Sequence, residues 1–133
     1  MCMKAGKQPI IRESFAMPFG GGKIFFSELD GLGENKTLVM DKFERDMKTL
    51  KKPSATSLAG LHVKDTAIDR EMAQSMLHGL NGEGQHLKKV AVVGLAFWNR
   101  LLWRRLKRAM DPPARFVCGF FEDFEKAKIW LVK

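Results

Sequence analysis

Apolar residues recur along this chain with two different periods, and segments of the two kinds alternate. Ile10–Phe19 and Lys23–Leu29 read as strands. Gly20-Gly21-Gly22 between them tolerates positive φ and closes a turn, which predicts a hairpin. From Glu34 to Leu50 the period lengthens, with Val39, Phe43, Met47 and Leu50 falling on one helical face until Lys51-Lys52-Pro53 stops the run. A weaker strand is expected over Thr56–Val63. Ile68, Met72, Met76 and Leu80, flanked by Ala73 and Leu77, then form a second helical stripe that ends at Asn81-Gly82-Glu83-Gly84. Lys89–Leu95 has no polar alternation, as expected of a strand covered on both faces. Phe97–Met110 reads as a helix stopped by Asp111-Pro112-Pro113, Ala114–Phe121 as a strand, and Glu122–Val132 as a last helix. In that helix Glu122 and Asp123 at the start, and Lys128 and Lys133 near the end, suit the helix dipole.

Strands alternating with helices imply right-handed crossovers, so the expected fold class is α/β: a hairpin followed by β-α units in one mixed, mainly parallel sheet. At 133 residues, 45% hydrophobic and 29% charged, the chain suits a single domain with its own core. Residues 1–9 are expected as a disordered lead-in and residues 10–133 as the domain. Cys2 falls in the lead-in and Cys118 inside an apolar run, so no bridge is expected and a reducing compartment fits. No signal peptide is evident, and the longest apolar run, Val90–Trp98, is interrupted by Gly94 and too short to cross a bilayer. A cytoplasmic location is expected.

The net charge of +8 is concentrated. Lys88, Lys89, Arg100, Arg104, Arg105, Lys107, Arg108 and Arg115 face only Asp111 between His86 and Arg115, giving that segment +7. Localised positive charge attracts nucleic acid, anionic lipid or an acidic protein face. On a helical projection, Trp98, Leu101, Leu102, Leu106 and Ala109 share one arc expected to dock on the sheet. Arg100, Arg104, Lys107 and Arg108 group opposite, and Trp103 lies at the border.

Two stretches carry a family resemblance. One is Val90-Ala91-Val92-Val93-Gly94-Leu95 leading into the basic helix. The other is the aromatic strand Ala114–Phe121 followed by Glu122–Val132. With them the chain resembles a STAS domain over roughly Lys23–Val132, specifically the SpoIIAA-like (STAS/SEC14-type) bacterial cytoplasmic proteins. In anti-sigma-factor antagonists of that fold, a serine following an aspartate opens the second main helix and is phosphorylated. Here Asp69 is followed by Arg70, so the resemblance does not carry the phosphoswitch over.

The remaining motifs read as structure. Gly20-Gly21-Gly22-Lys23 lacks phosphate-loop spacing and precedes a strand, not a helix. His62, His78 and His86 have no histidine or cysteine partner at metal-ligand spacing, and Cys118 lies among phenylalanines where a thiol is inert. Lys64, Asp65, Asp69, Arg70 and Glu71 cluster at a strand-to-helix junction. The position suits a ligand crevice, and equally a solvated loop with Asp69 as helix cap. No catalytic, metal or cofactor site is therefore expected. The expected function is a non-enzymatic STAS-like interaction or regulatory module. Its partner-binding candidates are Asp69, Arg70, Arg100, Trp103, Arg104, Lys107 and Arg108. A protein partner is expected, and a homodimer is compatible with the pattern. One alternative is a carrier or sensor of a lipid or other apolar ligand in a pocket lined by Met40, Met47, Met72, Met76 and Met110. The other is docking of the basic helix on an anionic surface, membrane or nucleic acid, the latter disfavoured by the lack of any nucleic-acid-binding motif.

Overall fold

The structure, a computed structural model, describes residues 12–84 and 86–133. The expected lead-in, residues 1–9, lies outside the described residues, as do Ile10 and Ile11 at the start of the first expected strand. The chain runs β1 (Phe15–Phe19), β2 (Gly22–Glu28), α1 (Lys36–Lys51), β3 (Leu58–His62), α2 (Arg70–Glu83), β4 (Lys89–Val93), α3 (Phe97–Arg108), β5 (Val117–Phe121) and α4 (Phe124–Val132). Every element read from the pattern is present, shifted at its ends by a few residues.

Local chemistry sets the boundaries. Gly20 and Gly21 take φ of 54° and 85°, which makes the two-residue hairpin turn that pairs Phe19 with Gly22. Asn35 caps α1 by accepting from the Leu38 amide, Asp69 caps α2 from Met72, and Asp123 caps α4 from Glu125. Helix α3 begins at Ala96 without a side-chain cap. Its last turn carries Arg105, Lys107 and Arg108, which complement the negative end of the helix dipole.

The five strands lie in sequence order, β1-β2-β3-β4-β5, with β1 antiparallel to β2 and the other pairs parallel. Right-handed crossovers in an in-order sheet carry successive helices to one face. On that face Phe25, Leu61, Val90 and Val92 pack against Phe43 of α1, Met76 and Leu80 of α2, and Trp103 of α3. Ile24, Phe26, Ala91 and Val93 point the other way and are covered by Ala127 and Leu131 of α4. Burial on both faces is the reason β4 shows no polar alternation.

The α4 face is built on small residues. Gly60, Ala91 and Gly119 are in register across β3, β4 and β5. A Cβ on Gly60 would come 2.4 Å from the Phe26 ring, and one on Gly119 would come 3.1 Å from the Trp130 ring. Glycine there lets an aromatic layer lie directly on the strands beneath α4.

Candidate functional site

Helix α3 places its side chains differently from the expected projection. Trp103 is 1% exposed, and Leu106 and Met110 are buried with it. Phe97 is 61% exposed, Trp98 76% and Leu101 39%. Of the expected arc, Leu106 is buried and Leu102 packs against the core, whereas Trp98, Leu101 and Ala109 are exposed. The buried face is thus turned by about 100°, one residue step, from the centre of that arc. Trp103 inserts toward β5, edge-on to Phe120 with ring centroids 6.5 Å apart, and Leu106 and Met110 are buried beside it. Its Nε1 is buried without a hydrogen-bond partner among the described residues.

The basic residues follow that rotation. Arg100 is half-buried and tied down: its Nε donates to the Leu95 carbonyl at 2.9 Å, and the guanidinium lies 3.5 Å from Glu122. The Arg104 guanidinium stands 5.1 Å from the Phe120 ring centroid, and Lys107 Nζ 5.8 Å from that of Phe116. Arg104, Lys107 and Arg108 line a hollow of about 230 Å³ with Cys118 and Phe120. Burial pushes the Cys118 thiol up to about 12, against the opposing pull of Lys107 and Arg104. The outer face of α3 therefore presents Phe97, Trp98 and Leu101 along with exposed Arg104, Arg105 and Arg108. Trp103, expected at the border, lies in the core and is not presented to a partner.

Asp69 and Arg70 stand at the start of α2. Asp69 accepts from the Met72 amide and lies 3.4 Å from Lys36 Nζ. The Met72 hydrogen bond first, and Lys36 with it, hold its carboxyl below the ordinary range. The same contacts, with Glu71 foremost, raise Lys36. Arg70 is exposed and borders a groove between α2 and α3 that also includes Gln74, His78 and Asp111. Of the methionines considered as pocket lining, Met47, Met72, Met76 and Met110 are buried members of the packed core and Met40 packs against it.

A second cluster lies at the carboxyl ends of β2 and β3, where crevices of open α/β sheets bind ligands. Glu28 and His62 are the last residues of these strands and pair in register. The loops beyond them are laced together: the Leu29 amide donates to the His62 carbonyl at 2.8 Å and Gly31 to that of Lys64 at 2.8 Å. Thr66 adds a hydroxyl donated to the Leu29 carbonyl at 2.5 Å. Asp30 is thereby fixed over His62. His62 Nδ1 lies 3.4 Å from Glu28 Oε1 and 3.6 Å from Asp30 Oδ1, and Arg12 Nε lies 3.1 Å from Asp30 Oδ2. The Glu28 contact, with the Asp30 charge, raises the His62 pKa against partial burial and the repulsion of Arg12. Glu28 Oε2 and Asp30 Oδ1 are buried without hydrogen-bond partners among the described residues. The pattern along the chain could not disclose this cluster, because Glu28 and His62 are separated by 34 positions and meet only through strand register.

A third polar group, Ser14, Ser27, Lys42 and Asp46, is complete in itself. Ser14 Oγ accepts from Lys42 Nζ at 2.7 Å and from the Glu28 amide at 3.0 Å, and donates to Asp46 at 2.6 Å. Ser27 also donates to Asp46 at 2.6 Å. Lys42 Nζ lies 3.5 Å from Asp46 Oδ2, and the network pins α1 to β2. Compared with protein-family descriptions, curated proteins and solved structures, this chain gives no match.

Proposed function

We propose that the protein is a non-enzymatic interaction module of the STAS-like kind and that α3 is its docking face. The observation that carries this reading is the exposure of Phe97, Trp98 and Leu101 on the same face as Arg104, Arg105 and Arg108. Tryptophan and arginine dominate the energetics of protein interfaces, and an apolar centre with a charged rim is their usual layout. Helix α3 contains no acidic residue, so the complementary partner is an acidic protein surface with an apolar seat. Two copies meeting through α3 would oppose their own arginines, which argues for a different molecule as partner. The in-order sheet with a hairpin at its edge supports the STAS-like reading. Arg70 stands where that resemblance places a phosphorylatable serine, so recognition here does not rest on such a switch.

A photo-crosslinking amino acid substituted at Trp98, used in the cells that make this protein, tests the reading. The expected result is a discrete protein adduct that disappears when Arg104→Glu and Arg108→Glu are added. Adducts to phospholipid alone would replace this reading with a helix lying on an anionic membrane. No specific adduct would remove α3 as the docking face.

A further inference from the structure

We propose that Glu28, Asp30 and His62 form a binding site for a divalent first-row transition cation, with Zn²⁺ the expected occupant. The three side chains each offer a donor atom, and these atoms lie within 4.8 Å of one another. Two carboxylates and one imidazole form a mixed oxygen and nitrogen set that suits Zn²⁺, and the imidazole disfavours Mg²⁺ and Ca²⁺.

Two of the three donor separations fit such an ion. Donors bound tetrahedrally at about 2.0–2.1 Å sit roughly 3.4 Å from one another. His62 Nδ1 lies 3.4 Å from Glu28 Oε1 and 3.6 Å from Asp30 Oδ1. These separations are longer than a good hydrogen bond and match the edges of a coordination shell.

Burial supplies a second, independent indication. The Glu28 side chain is only 7% exposed, yet its Oε2 has no hydrogen-bond partner among the described residues. Asp30 Oδ1 is equally unpartnered, while Arg12 occupies only the other oxygen of that carboxylate. A buried carboxylate oxygen without a partner is costly, and a cation removes that cost. The frame is already assembled: β2–β3 register fixes Glu28 against His62, and the laced loops hold Asp30 above them. His62 also packs against Phe124, with ring centroids 5.7 Å apart. The Asp30 and His62 side chains keep 12% and 19% exposure, which leaves an entry path and room for water as a further ligand.

The competing reading is an ion pair in which a protonated His62 sits between the two carboxylates and no metal binds. The full chain, stripped with a chelator, is titrated with ZnCl₂ by calorimetry and by thermal unfolding. The expected result is one ion per chain with Kd below about 10 μM, a rise in Tm of several degrees at saturation, and at least about tenfold weaker binding in Glu28→Gln and in Asp30→Asn. Ring resonances of His62 in the unaltered chain should shift with Zn²⁺ while those of His78 and His86 stay in place. This readout holds even if a variant fails to fold. Absence of binding up to 1 mM Zn²⁺ would overturn the site in favour of the ion pair. So would binding that leaves the His62 resonances unmoved.

Discussion

At the scale of single residues, the two tryptophans of α3 divide the work of the helix. Trp103 fills the space between α3 and β5, while Trp98 stands in solvent. Trp103→Ala is expected to cost about 3–5 kcal/mol. Trp98→Ala should stay within about 0.5 kcal/mol, as for a surface position. Urea unfolding of the two variants checks the difference, and equal losses would contradict the orientation of the helix. The helical projection places Trp98 in the docked arc and Trp103 at its border, the reverse of their positions in the structure. Apolar residues occupy most of the circumference of α3, with a tryptophan on each of two faces, so periodicity alone does not fix its rotation. Cys118 gives a second residue-scale test. With its thiol pushed up to about 12, it should resist iodoacetamide in the folded chain at pH 8 and react promptly once unfolded, as read by mass spectrometry of its peptide. The sign of the linkage follows. From about pH 9 upward the unfolded thiol ionises while the folded one stays neutral, so this group's contribution lowers stability as pH rises toward 12.

At the scale of elements, close approach of backbone to backbone carries the most information. Gly94 links β4 to α3 with φ of 89°, and a Cβ there would lie 2.8 Å from the Lys64 backbone. Both the strained conformation and the contact oppose a side chain, so Gly94→Ala is expected to cost about 3 kcal/mol. Gly60→Ala meets the fully buried ring of Phe26 and should cost about 1–3 kcal/mol. Thermal unfolding of both variants tests this, and a neutral Gly94→Ala would contradict the packing of the β4–α3 junction on Lys64. These elements were legible beforehand because Val39, Phe43, Met47 and Leu50, or Met72, Met76 and Leu80, repeat on one helical face, and because Val90–Val93 is apolar throughout. Gly60 and Gly119 were not legible as a track, since their alignment is a property of strand register and not of either strand alone.

At the scale of the whole molecule, the in-order mixed sheet gathers three helices on one face and leaves the fourth to cover the other. That arrangement fixes which surfaces remain free. The carboxyl ends of β2 and β3 bring His62 to Glu28 and Asp30, although His62 is 34 positions from Glu28 in sequence. The last helix of the three-helix layer turns outward the charge that composition locates near Arg100–Arg108, together with Phe97, Trp98 and Leu101. The location of the basic patch is therefore readable from the chain, whereas Trp98 and Leu101 of its apolar half fall in the arc that the projection docks on the sheet. The central claim is that this combined face is where a partner binds. The most direct measurement is the affinity of the partner captured at position 98 for the unaltered protein, for Trp98→Ser with Leu101→Ser, and for Arg104→Glu with Arg108→Glu. Each pair of substitutions is expected to weaken binding at least about 100-fold with the fold intact, since anchors of this type carry most of an interface's energy. Affinity unchanged in both pairs would contradict it.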